Sequence, residues 1–170
     1  LFKALQVNEA RAIRFCKKDE TYVAEGQALS AEETPDLTQL ERIWYEGDVH
    51  KTDHYNWTRY YALNLHSVFY RGTVEWRCFN STLNPELAAA YVNLCLAMSA
   101  QAIAQRSTIM RKTRSDNELF TFRVWLVRLG HGDEFRETRD LLLAHLDGDR
   151  AWRFDKDSYE SQSKQEEKTS

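Results

Sequence analysis

The sequence lacks several features that would assign it to a specialised class of protein. It has only three cysteines, Cys16, Cys78 and Cys95, and none of them belongs to a CxxC pair. This number and spacing argue against a disulfide framework and a zinc knuckle, and they favour a reducing compartment. No charged-then-apolar signal segment opens the chain, and no internal repeat is visible. The sequence therefore predicts a cytoplasmic globular protein.

Long apolar runs and a strong net charge are also missing. We expect no membrane span, because no stretch approaches the roughly 18 apolar residues that a span requires. The formal net charge of -3 argues against bulk attraction to nucleic acid or anionic membranes. One basic cluster, Arg106 to Arg114, is interpreted as neutralising a helix C-terminus and solvating a loop. The alternative is a nucleic-acid site there, which predicts steeply salt-dependent binding.

What the chain does contain is enough for one ordinary core. Its 170 residues, with 42% hydrophobic and 12% aromatic content, suit a single domain over residues 1–154. From residue 155 onward the sequence is mainly Ser, Lys, Glu and Gln, which predicts a disordered charged tail over 155–170. The chain begins with Leu rather than Met. We expect it to be a piece of something longer.

Helical periodicity and capping signals predict several helices. The region up to about residue 46 is helical in character, with a break at Pro35. After that break, Asp36 or Thr38 can cap a helix with a core stripe formed by Leu37, Leu40, Ile43 and Trp44. Further helices are opened by Asn84-Pro85, by Asp116 or Asn117, and by Asp133, and they end near Gln105, Leu129 and Leu146 respectively.

Between these helices, residues 60–85 predict an antiparallel β-hairpin. Two runs rich in aromatic and β-branched residues flank Arg71-Gly72, which we interpret as a two-residue turn. In this register Tyr70 lies opposite Thr73. Alternation then brings four polar side chains to one face of the ribbon: Asn64, His66, Glu75 and Arg77. Any connection of even length preserves this shared face, whereas an odd length breaks it.

The four polar side chains combine groups suited to chemistry on anionic substrates. The Glu75 carboxylate can hold Mg²⁺, and the Arg77 guanidinium can bind a carboxylate or phosphoryl group bidentately. His66 can act as a donor, a base or a second metal ligand, and Asn64 can orient a substrate amide or ribose. The alternative is a half-buried Glu75–Arg77 ion pair on a solvated sheet face, with His66 hydrogen-bonded alongside. Spacing alone does not decide between them.

The segment from Thr73 to Pro85, with the preceding Tyr61 to His66, resembles the C-terminal half of the putative amidoligase family. Members of that family are similar to glutamine synthetase and glutamate-cysteine ligase. In those ligases a Glu-x-Arg strand leads through a short turn into a helix of small and apolar residues. The same order is present here, from Glu75-Trp-Arg77 into the helix that begins at Pro85. Weaker likeness elsewhere extends the resemblance over roughly residues 10 to 105.

The resemblance implies ATP-dependent formation of an amide between a carboxylate and an amine, through an acyl phosphate. By analogy Glu75 ligates Mg²⁺, and Arg77 contacts the substrate carboxylate or the transferring phosphoryl group. His66 is the second catalytic candidate, and Asn64 is the candidate for binding ATP. The implied partners are small-molecule or peptide carboxylates and amines. Glutamine synthetases assemble active sites between subunits, so the resemblance leaves a homo-oligomer open.

The chain departs from the family pattern in its N-terminal part. Such ligases carry further metal-binding carboxylates and a histidine motif, but no Glu-x-Glu or His-x-His pair occurs before residue 60. His50 and His54 lie in a polar connector, either as a solvated loop or as a metal pair on one helix face. The chain therefore resembles the C-terminal part of a ligase with half of the metal site missing. We expect this chain alone to be inactive.

Together the patterns predict an α+β fold. An antiparallel β-hairpin, which the resemblance makes part of a glutamine-synthetase-like curved sheet, packs with about four to five helices. The predicted function is an ATP-dependent carboxylate-amine ligase, or the C-terminal fragment of one. The alternative is a non-catalytic helical interaction module with a structural hairpin. The two differ at the sheet edge, because an isolated two-stranded ribbon is marginal in water and needs more strands or helix cover.

Overall fold

The computed structural model of the chain describes residues 36–45, 54–105 and 115–154. Over these residues the fold is α+β, with five α-helices and one two-stranded antiparallel sheet, as predicted. They fall into two compact units: the first unit ends at Asn80, and the second unit begins at Ser81. The helical region before residue 36, the basic cluster over 106–114 and the tail over 155–170 lie outside the described residues. The single domain over 1–154 stays a prediction.

The first unit begins with helix α1 (Leu37–Trp44), which starts where the sequence predicted. The Asp36 carboxylate accepts a hydrogen bond from the Gln39 backbone N–H at 2.8 Å, and Gln39 Oε1 accepts from the Asp36 N–H at 3.0 Å. This capping box satisfies two backbone donors at the helix start. At the other end Trp44 is buried, and its indole N–H donates to the Thr58 hydroxyl at 2.8 Å.

The core of the first unit is aromatic. Trp44, Tyr45 and Tyr61 form its buried cluster, with Leu65 and Phe69 among the partly buried residues around it. The rings of Trp44 and Tyr61 meet edge to face at 5.2 Å between centroids, a geometry that aromatic pairs favour. A 3₁₀ helix over Trp57–Tyr60 leads into Tyr61. Tyrosine and tryptophan bring polar atoms into this core, and these atoms need hydrogen-bond partners.

The sheet differs from the prediction in its register. Strand β1 (Leu63–Asn64) pairs with strand β2 (Glu75–Trp76), so that Asn64 lies opposite Glu75. The predicted turn at Arg71-Gly72 is wrong, because His66–Arg71 forms helix α2 and Gly72 is its C-cap with φ of 71°. Glycine adopts this left-handed conformation at little cost, which is why it commonly ends helices. Arg71-Gly72 therefore marks a helix end rather than a hairpin turn.

The prediction of a shared polar face is confirmed for Asn64 and Glu75 but not for His66. The observed connection runs from Leu65 to Val74 and has an even number of residues, so Asn64 and Glu75 keep the same face as in the predicted register. The Arg77 N–H donates to the Ala62 carbonyl at 2.7 Å and continues the ladder beyond β2. His66 has left the strand and is the first residue of α2.

Over its described residues the second unit contains three α-helices: α3 (Pro85–Ala104), α4 (Glu118–Arg128) and α5 (Arg136–Leu143). Helices α3 and α4 both pack against α5. Asn84 and Asn117 are the N-caps of α3 and α4, as predicted. The predicted helix from Asp133 begins as a 3₁₀ turn over Asp133–Phe135. The core of the unit is largely leucine, including Leu94, Leu119, Leu126, Leu129, Leu142, Leu143 and Leu146.

Helix α3 is apolar on both its buried and its exposed sides. Leu94 is fully buried, whereas Val92, Leu96 and Ile103 are 58%, 64% and 87% exposed. By length and composition α3 is long and apolar enough to cross a membrane, so the expectation that no stretch approaches that length was wrong. One such helix is weak evidence, because core helices of soluble proteins pass the same test. The cytoplasmic location stays a prediction.

Candidate functional site

A cleft of about 380 Å³ in the first unit is lined by residues of both strands and of helix α2. Its volume lies within the range of small-ligand sites. Three of the four predicted site residues line it: Asn64, His66 and Glu75. The fourth, Arg77, is joined to Glu75 by an ion pair. The other lining residues are His54, Arg59, Ser67, Tyr70, Arg71, Thr73 and Val74.

The Glu75 carboxylate links two of the other predicted residues. Its Oε1 accepts from an Arg77 guanidinium nitrogen at 2.9 Å, and its Oε2 accepts from Asn64 Nδ2 at 2.6 Å. The ion pair is partly open to solvent, since the side chains of Arg77 and Glu75 are 27% and 46% exposed. A carboxylate has about four lone-pair positions. Glu75 therefore retains acceptor capacity for a ligand in the cleft.

Asn64 is the most deeply buried of the predicted residues that line the cleft, at 2% exposure. Its amide group donates to Glu75 and, at 3.0 Å, to the Ser67 hydroxyl. The Asn64 Oδ1 atom is buried and has no hydrogen-bond partner in the part of the chain that the structure describes. An unsatisfied buried acceptor of this kind costs free energy. A donor from a bound ligand would remove that cost.

His66 contacts Tyr45, which is the C-cap of helix α1. The Tyr45 hydroxyl lies within hydrogen-bond distance of His66 Nδ1. Burial, and to a lesser extent the charge of Glu41, raise the pKa of Tyr45 to about 12, so its hydroxyl stays protonated at physiological pH. A protonated hydroxyl can donate to Nδ1 or accept from it, so this hydrogen bond orients the ring without selecting a tautomer. His66 therefore lines the cleft in a fixed orientation.

Two arginines, Arg59 and Arg71, and the ring of Tyr70 also line the cleft. The Arg71 guanidinium lies 5.7 Å from the Tyr70 ring centroid, and that of Arg59 lies 5.6 Å from the Tyr60 ring centroid. Arg77 also approaches Tyr60, at 5.4 Å. These distances are typical of cation–π contacts. The cleft therefore combines positive charge with exposed aromatic surface.

The predicted metal ligand Glu75 is a single carboxylate. Across residues 36–45, 54–105 and 115–154, no group of three or more His, Cys, Asp or Glu side chains is arranged to hold a metal ion. Mg²⁺ usually binds proteins through one or two carboxylates together with substrate phosphates and water. Glu75 fits the protein share of such a site. His54 lines the cleft, whereas His50, with which it could form a metal pair in the alternative to a solvated loop, lies outside the described residues.

Two arginines of the cleft were not predicted. Arg59 received no role and Arg71 was placed in a turn, although residues 54–77 contain three arginines and only one acidic residue, Glu75. This local excess of positive charge, in a chain with a net charge of -3, was the available signal. Both arginines also adjoin a tyrosine in sequence, at Arg59-Tyr60 and Tyr70-Arg71. The helix that turns Tyr70 and Arg71 toward the cleft was not predicted.

Comparison with known proteins gives one match. The family model described as "Putative amidoligase enzyme" matches residues 1–99, which include all ten residues that line the cleft. No curated protein and no solved structure matches the chain. The match covers more than half of the 170 residues. The chain therefore belongs to the amidoligase family.

Proposed function

We propose that the chain is an ATP-dependent carboxylate-amine ligase, or the C-terminal fragment of one, and that its cleft belongs to the active site. One observation carries the proposal: within the segment that matches the family, Glu75, Arg77 and Asn64 form one hydrogen-bonded group at a cleft. The alternative of a purely structural ion pair accounts for the Glu75–Arg77 contact. It does not account for the buried Asn64 acceptor or for the further arginines in the same cleft.

The proposed roles follow from charge and hydrogen bonding. Bound Mg²⁺-ATP would supply the phosphoryl group that activates the substrate carboxylate as an acyl phosphate. Glu75 would contribute one carboxylate ligand to Mg²⁺, and Asn64 would bind ATP through its free Oδ1. Arg77 would neutralise negative charge on the substrate carboxylate or the transferring phosphoryl group. The Glu75 ion pair holds Arg77 beside the cleft, which lowers the cost of placing it there.

His66 is proposed as a hydrogen-bond donor in catalysis. The contact between Nδ1 and the Tyr45 hydroxyl orients the ring, and in this proposal the ring carries a proton on Nε2. A donor at this position would bind an oxyanion that develops as the amine attacks the acyl carbon and phosphate leaves. The substrates are proposed to be small-molecule or peptide carboxylates and amines. Their identities depend on pocket shape, which family membership does not give.

The glutamine-synthetase-like architecture and the C-terminal placement are parts of the same proposal. They rest on the Glu-x-Arg strand that leads into helix α3, and on the lack of Glu-x-Glu and His-x-His before residue 60. We propose that β1 and β2 extend a larger curved antiparallel sheet in the complete enzyme. Two strands with two residues each are short for an independent sheet. Further strands would supply the remaining metal ligands.

The test is ADP release with Mg²⁺-ATP and pooled amino acids as candidate acids and amines. This chain is compared with a version extended toward its natural N-terminus. We expect turnover in the extended version and little or none in this chain. If neither version releases ADP, and calorimetry detects no ATP binding, the proposal is contradicted.

A second candidate function is a non-catalytic interaction module, which the exposed apolar side chains of α3 favour. Val92, Leu96 and Ile103 recur at helical spacing and leave an apolar stripe on a helix whose sole charged residue is Glu86. Two copies of an uncharged stripe can pack against each other without electrostatic repulsion. We therefore propose a second copy of the chain as the partner of this stripe. Sedimentation velocity tests this proposal. Leu96→Glu should shift a dimer to monomer, whereas a monomeric wild-type chain at high concentration would exclude the homo-oligomer.

A further inference from the structure

Two arginines of the cleft have no acidic partner. Arg59 and Arg71 both line the cleft, and neither forms an ion pair or a hydrogen bond through its guanidinium in the described residues. Arg77 differs from them, because Glu75 balances its charge at 2.9 Å. The cleft wall therefore carries two positive charges that the described protein does not neutralise.

The aromatic contacts of these arginines leave their donors available. Arg59 lies over Tyr55 and Tyr60, and Arg71 lies over Tyr70. A cation–π contact uses the face of the guanidinium or its charge, whereas its five N–H donors lie in the plane of the group. The rings therefore restrict where each guanidinium lies without using up its hydrogen bonds. Such a side chain loses less conformational entropy when an anion binds.

Hydrogen-bond acceptors also lie at this cleft, so the surface around Arg59 and Arg71 differs from a general basic patch. Asn64 Oδ1 is buried and unpartnered among the described residues, and it belongs to the group that includes the Glu75 carboxylate. A ligand there would meet acceptors from the strands and donors from Arg59 and Arg71. This combination suits a small molecule with separate donor and anionic groups. It suits a polyanion less well, since Glu75 would repel the chain of charges.

We propose that Arg59 and Arg71 form a subsite for a substrate that carries two neighbouring oxyanion groups. Each guanidinium can bind one carboxylate or phosphoryl group bidentately, and the two positive charges match two negative ones. The chemistry has two sources: the carboxylates of an acidic amino acid, or the phosphates of a nucleotide. The statement that the ligand is a substrate rests on the proposed ligase function. The statement that the two arginines bind an anion does not depend on that function.

Calorimetry tests the subsite with two probes, L-glutamate and ADP, each titrated into the intact chain without metal. The variants are Arg59→Gln and Arg71→Gln, which remove the charge but keep much of the side-chain length. Arg42→Gln is the matched control, because Arg42 is an exposed arginine of the same unit and does not line the cleft. Arg59→Lys and Arg71→Lys preserve the charge, and melting curves identify any variant that has lost its fold.

We expect at least one probe to bind and each Gln variant to weaken it by about 10-fold or more, as loss of a charge-assisted hydrogen bond predicts. Arg42→Gln should change the dissociation constant less than about twofold, and the Lys variants should retain part of the affinity. The probe that binds identifies the source of the oxyanions. Binding should weaken as salt is added, because the attraction is electrostatic.

Two results would overturn the subsite. One is that neither probe binds the wild-type chain at concentrations up to about 10 mM, well above the range of typical substrate affinities. The other is that a probe binds equally well to the Gln variants and the wild type. Failure of the ligase function would look different. In that case ATP turnover is absent in every form of the protein, while oxyanion binding and its dependence on Arg59 and Arg71 persist.

Discussion

The two units of the chain bury different kinds of side chain. The first unit is built around Trp44, Tyr45 and Tyr61, and it also buries the polar residues Asn64 and His66. The core of the second unit is mostly leucine. An aliphatic core packs without hydrogen bonds, whereas buried polar groups cost free energy unless they are paired. Among the described residues, the first unit accepts this cost at four buried polar residues, Glu41, Thr58, Asn64 and His66, and the second unit accepts it at two, His131 and Arg139.

The position of the buried polar groups also differs. In the first unit Asn64 and His66 line the cleft, where Asn64 Oδ1 has no partner in the described structure. In the second unit the buried Arg139 donates to the carbonyls of His131 and Gly132, at 2.8 and 3.1 Å, and so holds a loop in place. Under the proposed function, the polar burial at the cleft serves ligand binding. Substitutions in the two units should accordingly affect activity and stability differently.

The largest expected effect is on catalysis in the first unit. Arg77→Ala and Glu75→Ala in the complete protein should each lower turnover by a factor on the order of 10² to 10³, since they remove charge stabilisation or a metal ligand. The melting temperature should change by only a few degrees, because the ion pair is partly exposed. Steady-state ADP release and a melting curve measure the two effects. Unchanged turnover in both variants would end the assignment of these residues.

The reverse pattern is expected in the second unit. Leu126 is fully buried, so Leu126→Ala should lower the free energy of unfolding by about 2 to 5 kcal/mol. Urea denaturation measures this loss. Ligand affinity in the cleft should be unchanged at temperatures where the variant is folded. The exposed neighbour Val127 provides the control, since Val127→Ala should cost less than about 0.5 kcal/mol.

Tyr45→Phe should affect both properties, because Tyr45 belongs to the aromatic core and also orients His66. Loss of the hydroxyl removes this hydrogen bond from the buried His66 Nδ1, at a cost of about 1 to 2 kcal/mol in unfolding free energy. The imidazole then loses the contact that orients it, so turnover should fall too. A loss of stability with unchanged turnover would show that the orientation of the ring does not matter for catalysis. Urea denaturation and ADP release measure the two effects.

Gly72→Ala tests the revised structure of the connection. A left-handed C-cap with φ of 71° strains any residue with a Cβ, and the cost is about 1 kcal/mol, although nothing within 4 Å would clash. Gly132→Ala is the control, since Gly132 has a negative φ and also has open space around it. Equal stability of the two variants would contradict the helical end at Gly72.

The smallest expected effect is a pH dependence in the second unit. Burial, followed by the charge of Arg139, lowers the pKa of His131 below its usual 6.5. Above pH 6.5 the imidazole is neutral in both folded and unfolded chains. As the pH falls through 6.5 the unfolded chain takes up a proton first, so stability is lost until the folded pKa is reached. Urea unfolding at pH 8 and pH 5.5 measures this loss, and His131→Phe should reduce it. If His131→Phe loses as much unfolding free energy between pH 8 and pH 5.5 as the wild type, the pH dependence does not come from His131.

Much of this architecture could be predicted because its signals are local. Asp36, Asn84 and Asn117 cap helices that the sequence placed correctly, since capping depends on residues within one turn. The register of the hairpin was predicted wrongly, because it depends on α2, a helix of six residues with no side-chain cap. Asn64 and Glu75 were still predicted to share a face, because this depends only on an even connection length. His66 instead reaches the cleft from α2.

The arginines of the cleft could not be predicted in the same way. Arg59 lies in a 3₁₀ helix and Arg71 at the end of α2, so no single periodicity connects them with Glu75. They line one cleft only because the connection between β1 and β2 folds as a helix. The Tyr45–His66 hydrogen bond joins residues 21 apart in sequence and is equally invisible to local patterns. Tertiary packing determines these contacts.

Trapping of an acyl phosphate tests the central claim most directly. Hydroxylamine attacks the acyl carbon of that intermediate and releases phosphate, which leaves a stable hydroxamate. The complete protein, its Arg77→Ala variant and the second-unit control Arg128→Gln are incubated with Mg²⁺-ATP, pooled amino acids and hydroxylamine. We predict ATP-dependent hydroxamate from the wild type and Arg128→Gln, and almost none from Arg77→Ala. Equal hydroxamate from all three proteins, or none from any of them, would contradict a ligase site in the cleft.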